Sequence, residues 1–174
     1  INELMGDENP DWGTVVSALQ DADAEFEPGS AIQYHGITFG LLVVELVQRI
    51  TGRAFEEFFQ AEVAGPLRLV DTTYALDTVR MPRLARLSAM PDFESPDLAE
   101  IGNAEWFKFN PSPGANGTST ARDLARFYSV LVNDGSVNGE QWLSADTVAD
   151  VTACHVEGAA RDSGDLMRWG LGLQ

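Results

Sequence analysis

The stretch from Glu27 to Tyr74 opens with Glu27-Pro28-Gly29-Ser30 and continues through Gln33-Tyr34-His35-Gly36. An apolar run follows from Ile37 to Thr51, then Gly52-Arg53, Pro66-Leu67-Arg68-Leu69 and Asp71-Thr72. Pro28-Gly29 interrupts regular structure. The run that follows carries Phe39, Leu41, Leu42, Val43, Val44, Leu46, Val47 and Ile50. It is too long for an ordinary strand. Glu45, Gln48 and Arg49 cluster on one face and Gly52 supplies a stop, so the pattern predicts a largely buried helix. Phe55, Phe58, Phe59 and Val63 repeat at helical spacing, predicting a shorter second helix that ends at Gly65-Pro66.

Working outward, Pro10-Asp11-Trp12 followed by Val15, Val16 and Leu19 reads as a helix over 11–22 with Asp11 as its cap. Residues 77–118 hold Pro82, Pro91, Pro96, Pro111 and Pro113, and are expected to be long irregular structure. Trp106, Phe107 and Phe109 would anchor that segment on the core, since linkers rarely carry such an aromatic load. Thr120 and Asp123 stand three apart, as at the start of a capped helix, and that helix closes at Asn133-Asp134-Gly135. Asn138-Gly139 is a turn, and Ser144 caps a last helix to Ala153. Arg168 to Leu173 reads as the opening of a strand. No internal repeat or low-complexity tract is present.

The 174 residues are 44% hydrophobic, enough for one core. A net charge of −16 disfavours nucleic acid and anionic lipid as partners. No apolar run is long enough to span a membrane, and no basic-then-apolar signal opens the chain. The single cysteine, Cys154, excludes an internal disulfide and a cysteine zinc cluster. Two histidines, His35 and His155, leave little for a histidine metal site. Phosphate-loop, zinc-helix and EF-hand motifs are all missing. Lys108 is the only lysine among 11 basic residues, a bias read as genome composition or habitat.

The order of the pieces between Glu27 and Thr72 resembles the serine β-lactamase and penicillin-binding-protein superfamily, in particular class C β-lactamases and family VIII esterases. In that branch a Pro-Gly precedes a Tyr-x-Asn motif, a helix ending in Thr-Gly, a Pro-Leu-Gly-Met-like turn and a threonine. The stretch from Ser119 to Phe127, ending at Asp134-Gly135, resembles the next family helix, and Trp169-Gly170-Leu171-Gly172 the start of a family strand. The resemblance implies acyl transfer: a serine in Ser-x-x-Lys attacks a carbonyl while the lysine and the motif tyrosine move its proton. A serine hydroxyl needs such a base within hydrogen-bond reach. Read from its surroundings in sequence alone, Tyr34 packs under the following helix; the resemblance reverses that reading and makes it the catalytic tyrosine. Gly36 stands where the family has the motif asparagine, a substrate-binding position, and offers only backbone and space. That departure leans away from orthodox β-lactam recognition and towards an esterase.

With one lysine preceded three residues earlier by Glu105, the chain contains no Ser-x-x-Lys. The third family motif would follow Leu173. The expectation is therefore a single partial domain, 1–174, of the α+β β-lactamase/transpeptidase-like fold: mainly α-helical, the helical subdomain with long loops, without the Ser-x-x-Lys part and the C-terminal sheet strands. The parent would cleave a small-molecule ester, or an amide or β-lactam, without metal or cofactor, and the chain alone would be inactive. A non-catalytic interaction module binding through 106–109 is the alternative. A weaker one is an α/β-hydrolase with Ser119 in Gly117-Thr118-Ser119-Thr120-Ala121 as nucleophile. A turn-rich loop precedes Ser119 where the elbow needs a strand, so Ser119 and Thr120 read better as helix caps. His35 as a surrogate base is weaker than a local hydrogen bond. Cys154 and His155 point apart and make no dyad. Asp92, Glu94, Asp97 and Glu100 read as solvated loop charges. The lone cysteine suits a reducing cytoplasm, slightly favoured, and equally an exported protein; oligomeric state is left open.

Overall fold

A computed structural model of the chain describes residues 12–89 and 97–173. Helix α1, Trp12–Asp21, falls where its apolar spacing predicts and buries Val15; its expected cap, Asp11, lies outside the described residues. The apolar run folds as α2, Gly36–Thr51. It stops at Gly52, whose left-handed φ of 68° lets its N–H reach the Gln48 carbonyl. Val43, Val44 and Val47 pack against the core of Phe55, Phe59, Ala64, Leu67, Leu69 and Val130. A second stripe of α2, Phe39, Leu42, Leu46 and Ile50, is exposed. The helix is thus less buried than expected, because it is apolar around much of its circumference and this chain packs against only part of it.

Helix α3, Phe55–Phe59, does not end at Gly65-Pro66. It widens into a π turn, Gln60–Ala64, and runs on into α4, Gly65–Leu67. Proline lacks an N–H, so a regular helix would leave the Glu62 carbonyl without its partner from residue 66. The Trp142 indole N–H donates to that carbonyl instead, at 3.1 Å, and the Gly65 N–H bonds back to Gln60. Tyr74 then meets Phe55 and Phe59 edge-on, with ring centroids 5.5 and 4.9 Å away. The Glu56 carboxylate accepts from the Thr73 hydroxyl at 2.6 Å, the Tyr74 N–H at 3.0 Å and the Gln60 amide at 2.8 Å. Together these contacts hold residues 72–75 on α3.

The segment 77–118 is more ordered than its prolines suggest. A 3-10 turn, Met81–Arg83, precedes α5, Asp97–Asn103, and α6, Glu105–Phe109. Pro82 is the second residue of the 3-10 turn, where a missing N–H costs nothing. No proline falls between Pro96 and Pro111, which leaves room for two short helices. Phe107 is buried, as an anchor should be, whereas Phe109 is partly exposed. Glu100 is exposed, on α5 rather than in a loop.

Helix α7, Ala121–Val132, has Thr120 as its cap, the hydroxyl accepting from the Asp123 N–H at 3.2 Å. A hairpin of β1, Ser136–Val137, and β2, Glu140–Gln141, turns on Asn138 and Gly139. Both turn residues have positive φ, 51° and 85°, as a two-residue hairpin turn requires. Ser144 caps α8, Ala145–Thr152, accepting from the Thr147 N–H at 3.0 Å. Strand β3, Val156–Ala159, pairs antiparallel with β4, Leu166–Trp169. The predicted strand at 168–173 is therefore displaced towards the N-terminus. Gly170 to Leu173 curls back, with the Gly170 N–H on the Leu173 carbonyl and Gly172 at φ 87°.

Candidate active site

A cleft of about 1580 Å³ lies between the entry to α2, the loop 114–120 and the segment from Leu76 to Leu87. Tyr34, His35 and Gly36 form one side of it. Tyr34 is 62% exposed, so packing beneath the following helix does not describe it. Its ring stacks on Trp169 of β4, with centroids 6.1 Å apart and planes 29° from parallel. The ring also lies across Gly36. A β-carbon at position 36 would fall 2.8 Å from the phenol oxygen and 3.0 Å from two ring carbons. A side chain at 36 would have to displace the Tyr34 ring.

The opposite wall is pressed onto the first turns of α2. A β-carbon on Gly114 would stand 1.7 Å from the Gly36 carbonyl oxygen, and one on Gly40 would stand 2.3 Å from the Gly114 nitrogen. The loop is shaped from inside by Asn116, which is buried. Its side-chain oxygen accepts from the Ser112 N–H at 2.8 Å, and its amide donates to the carbonyls of Phe107 and Asn110. The Ser112 hydroxyl is sealed in the same loop without a hydrogen-bond partner among the described residues.

The cleft floor is tied to α7 through Asp123, which is buried although acidic. Its carboxylate accepts from the Asp71 N–H at 2.7 Å and the Thr72 hydroxyl at 3.0 Å. The Thr72 hydroxyl also lies 2.8 Å from the Ser119 hydroxyl, and Thr73 and Thr118 exchange backbone bonds of 3.0 and 2.9 Å. Ser119 thus holds the 71–73 segment in place. The α/β-hydrolase reading of this serine fails, since the loop 110–117 precedes it where that fold needs a strand.

Charge at the cleft is mostly paired. Arg83 grips Asp71 with two bonds of 2.6 and 3.0 Å, and this guanidinium holds the Asp71 carboxyl below its ordinary value of 3.8. Arg80 pairs with Asp77 at 2.7 Å, and the backbone N–H of Arg80 is the main cause of the lowered Asp77 pKa. Lys108 also lines the cleft and makes no ion pair among the described residues. His35 lies beside Thr38, its Nδ1 3.4 Å from the hydroxyl, the local contact that its sequence context suggested. His155 instead reaches the Asp150 carbonyl at 2.7 Å, and the Cys154 thiol lies 3.4 Å from the Val156 carbonyl, so the two are not a dyad. Sequence reasoning did not single out Asp71, Arg83, Asn116, Gly114 or Trp169 as site residues. Gly114 and Trp169 meet residues far away in the chain, while Asp71 with Arg83 and Asn116 with its loop carbonyls pair over shorter spans that no motif marks.

The Beta-lactamase family model matches residues 2–174. The chain belongs to the Beta-lactamase family. Over 146 residues it is 31% identical to the Mycobacterium tuberculosis protein named Esterase/beta-lactamase LipL, covering 68% of this chain and 34% of LipL. It is similar to the crystal structure of a family VIII carboxylesterase, with TM-score 0.82 and 29% identity over 93% of this chain and 47% of that one. A penicillin-binding-protein homologue from Caulobacter crescentus superposes with TM-score 0.75 and 26% identity over 95% and 48% of the two chains. The chain therefore spans about a third of the curated relative and about half of these solved structures. The fold is that of β-lactamases and transpeptidases, and this Beta-lactamase family chain holds a mainly helical portion of it. Among the described residues no helix is long and apolar enough to cross a membrane.

Proposed function

We propose that the chain is the helical portion of a serine hydrolase that cleaves small-molecule carboxylic esters through an acyl-serine, with Tyr34 moving protons. The exposed phenol at the cleft edge carries this reading. The serine hydroxyl and its lysine come from the Ser-x-x-Lys of the family, in a part of the fold that this chain does not span. The serine oxygen bonds to the ester carbonyl carbon as its proton passes to the base pair of lysine and Tyr34. The tetrahedral adduct then collapses, the ester C–O bond breaks, and the proton goes to the departing alkoxide. Water, deprotonated by the same groups, attacks the acyl-serine; the acyl C–Oγ bond breaks, the acid leaves and the proton returns to the serine oxygen.

Gly36 favours an ester over an orthodox β-lactam, because position 36 brings no side-chain amide to bind a substrate carbonyl. The resemblance to a family VIII carboxylesterase points the same way. By itself the 174-residue chain is inactive in this reading. The gene sequence preceding Ile1 is one test: an in-frame Ser-x-x-Lys supports the enzyme, and a start codon near Ile1 supports a non-catalytic module instead. The biochemical test is hydrolysis of p-nitrophenyl butyrate. The chain alone turning it over, with activity lost in Tyr34→Phe, would overturn the partial-site reading. Activity present only with the Ser-x-x-Lys portion, and lost in Tyr34→Phe, supports it.

A further inference from the structure

We infer that Trp169 is a positioning residue for the Tyr34 phenol, and that the missing side chain at Gly36 is the space into which this phenol is laid. The inference rests on the proposed role of Tyr34 and adds what fixes its direction. A tyrosine as exposed as Tyr34 has several side-chain rotamers open to it. Its hydroxyl has no hydrogen-bond partner among the described residues, so no polar contact selects one. Two apolar contacts do. The indole of Trp169 backs the ring face, and the bare α-carbon of Gly36 lets the hydroxyl end lie flat over the start of α2.

The backing is built rather than incidental. Trp169 is the residue of β4 paired with Val156, and its carbonyl accepts the His155 N–H at 2.8 Å. The hairpin that carries it is joined to the chain just before Tyr34. Ile32 bridges Ala160, and the Arg161 N–H donates to the Ile32 carbonyl at 2.8 Å. The stacked rings thus sit on two segments fastened together by backbone bonds, leaving the phenol hydroxyl free to face a reactant. Proton transfer needs heavy atoms about 2.6–3.2 Å apart, so a ring free to swing would spend little time in range.

The protein has three tyrosines, Tyr34, Tyr74 and Tyr128, which suits fluorine NMR of the chain labelled with 3-fluorotyrosine, each signal assigned by its Tyr→Phe variant. Trp169→Leu is expected to shift the Tyr34 signal alone, with loss of its ring-current offset, and Trp169→Phe to restore much of it. Gly36→Ala should shift the same signal although Trp169 remains. An unchanged Tyr34 signal in Trp169→Leu overturns the inference. If Trp169→Leu disturbs all three signals through unfolding, Trp169→Phe and Gly36→Ala decide it, and an unmoved Tyr34 signal in Gly36→Ala overturns it. In the hydrolase with its Ser-x-x-Lys portion, Trp169→Leu should lower kcat about 10²-fold with KM little changed, and Trp169→Phe should recover it. Should Tyr34→Phe leave that turnover intact, the catalytic role of Tyr34 fails while the fluorine signals still report the stack.

Discussion

The carboxylate of Asp123, at the start of α7, accepts the backbone N–H of Asp71 at 2.7 Å. It joins the floor of the cleft to a helix whose sequence marked Asp123 only as part of a cap. The Asp123 N–H does bond the Thr120 hydroxyl, but its side chain turns away to Asp71 and Thr72. Replacement by alanine should cost about 1.5–3 kcal/mol, the range for hydrogen bonds to a charged group. Chemical denaturation measures this, and Asp123→Asn, which keeps an acceptor oxygen, should recover much of the loss.

Gly114→Ala places a methyl 1.7 Å from the Gly36 carbonyl oxygen, so main chain has to move. A destabilisation of at least about 1–3 kcal/mol is expected. Gly158→Ala is the control. Its methyl meets only the end of the Ile32 side chain at 3.1 Å, and the change should stay within about 0.5 kcal/mol.

Ser112→Ala should stabilise the chain by about 1 kcal/mol, because it removes a buried hydroxyl that has no partner among the described residues. A fall in thermal midpoint would show that the hydroxyl is satisfied in solution.

Arg83→Gln should raise the Asp71 pKa towards 3.8, read by carbon-13 NMR of the carboxyl. With the folded pKa depressed, the pair's contribution to stability is complete above the unfolded value and is lost as pH falls through the folded one. Without Arg83, this part of the acid sensitivity disappears.

Tyr74 behaves in the opposite sense. Burial, reinforced by the nearby Glu56 charge, raises its pKa above 10.0. The neutral phenol therefore supports the fold fully below pH 10, and that support is lost as pH rises through the folded pKa. Tyr74→Phe should flatten the alkaline fall in stability followed by denaturation at a series of pH values.

Much of the helical frame was legible because it follows from local rules. The apolar run with Gly52 after it, Thr120 ahead of α7, Ser144 ahead of α8 and the Asn138-Gly139 turn all act through neighbours within a few residues. The passage of α3 through Pro66 was not legible, since it depends on an indole from Trp142 lent across the core. The exposed stripe on α2 was misread for a related reason: an apolar side chain does not say whether anything covers it. At the site, Tyr34 and Gly36 stood out through a family motif. Their geometric relation to one another and to Trp169 did not, because it exists only once β4 has been brought alongside.

Where Gly40 meets Gly114, two lengths of main chain touch with no side chain between them to act as a cushion. The two banks of the cleft are in effect one casting at that seam. Selection for a wider or narrower mouth cannot re-space those banks by small steps without crushing backbone against backbone. It is left to work through replaceable fittings such as Leu76 and Leu87, which line the interior from the other side.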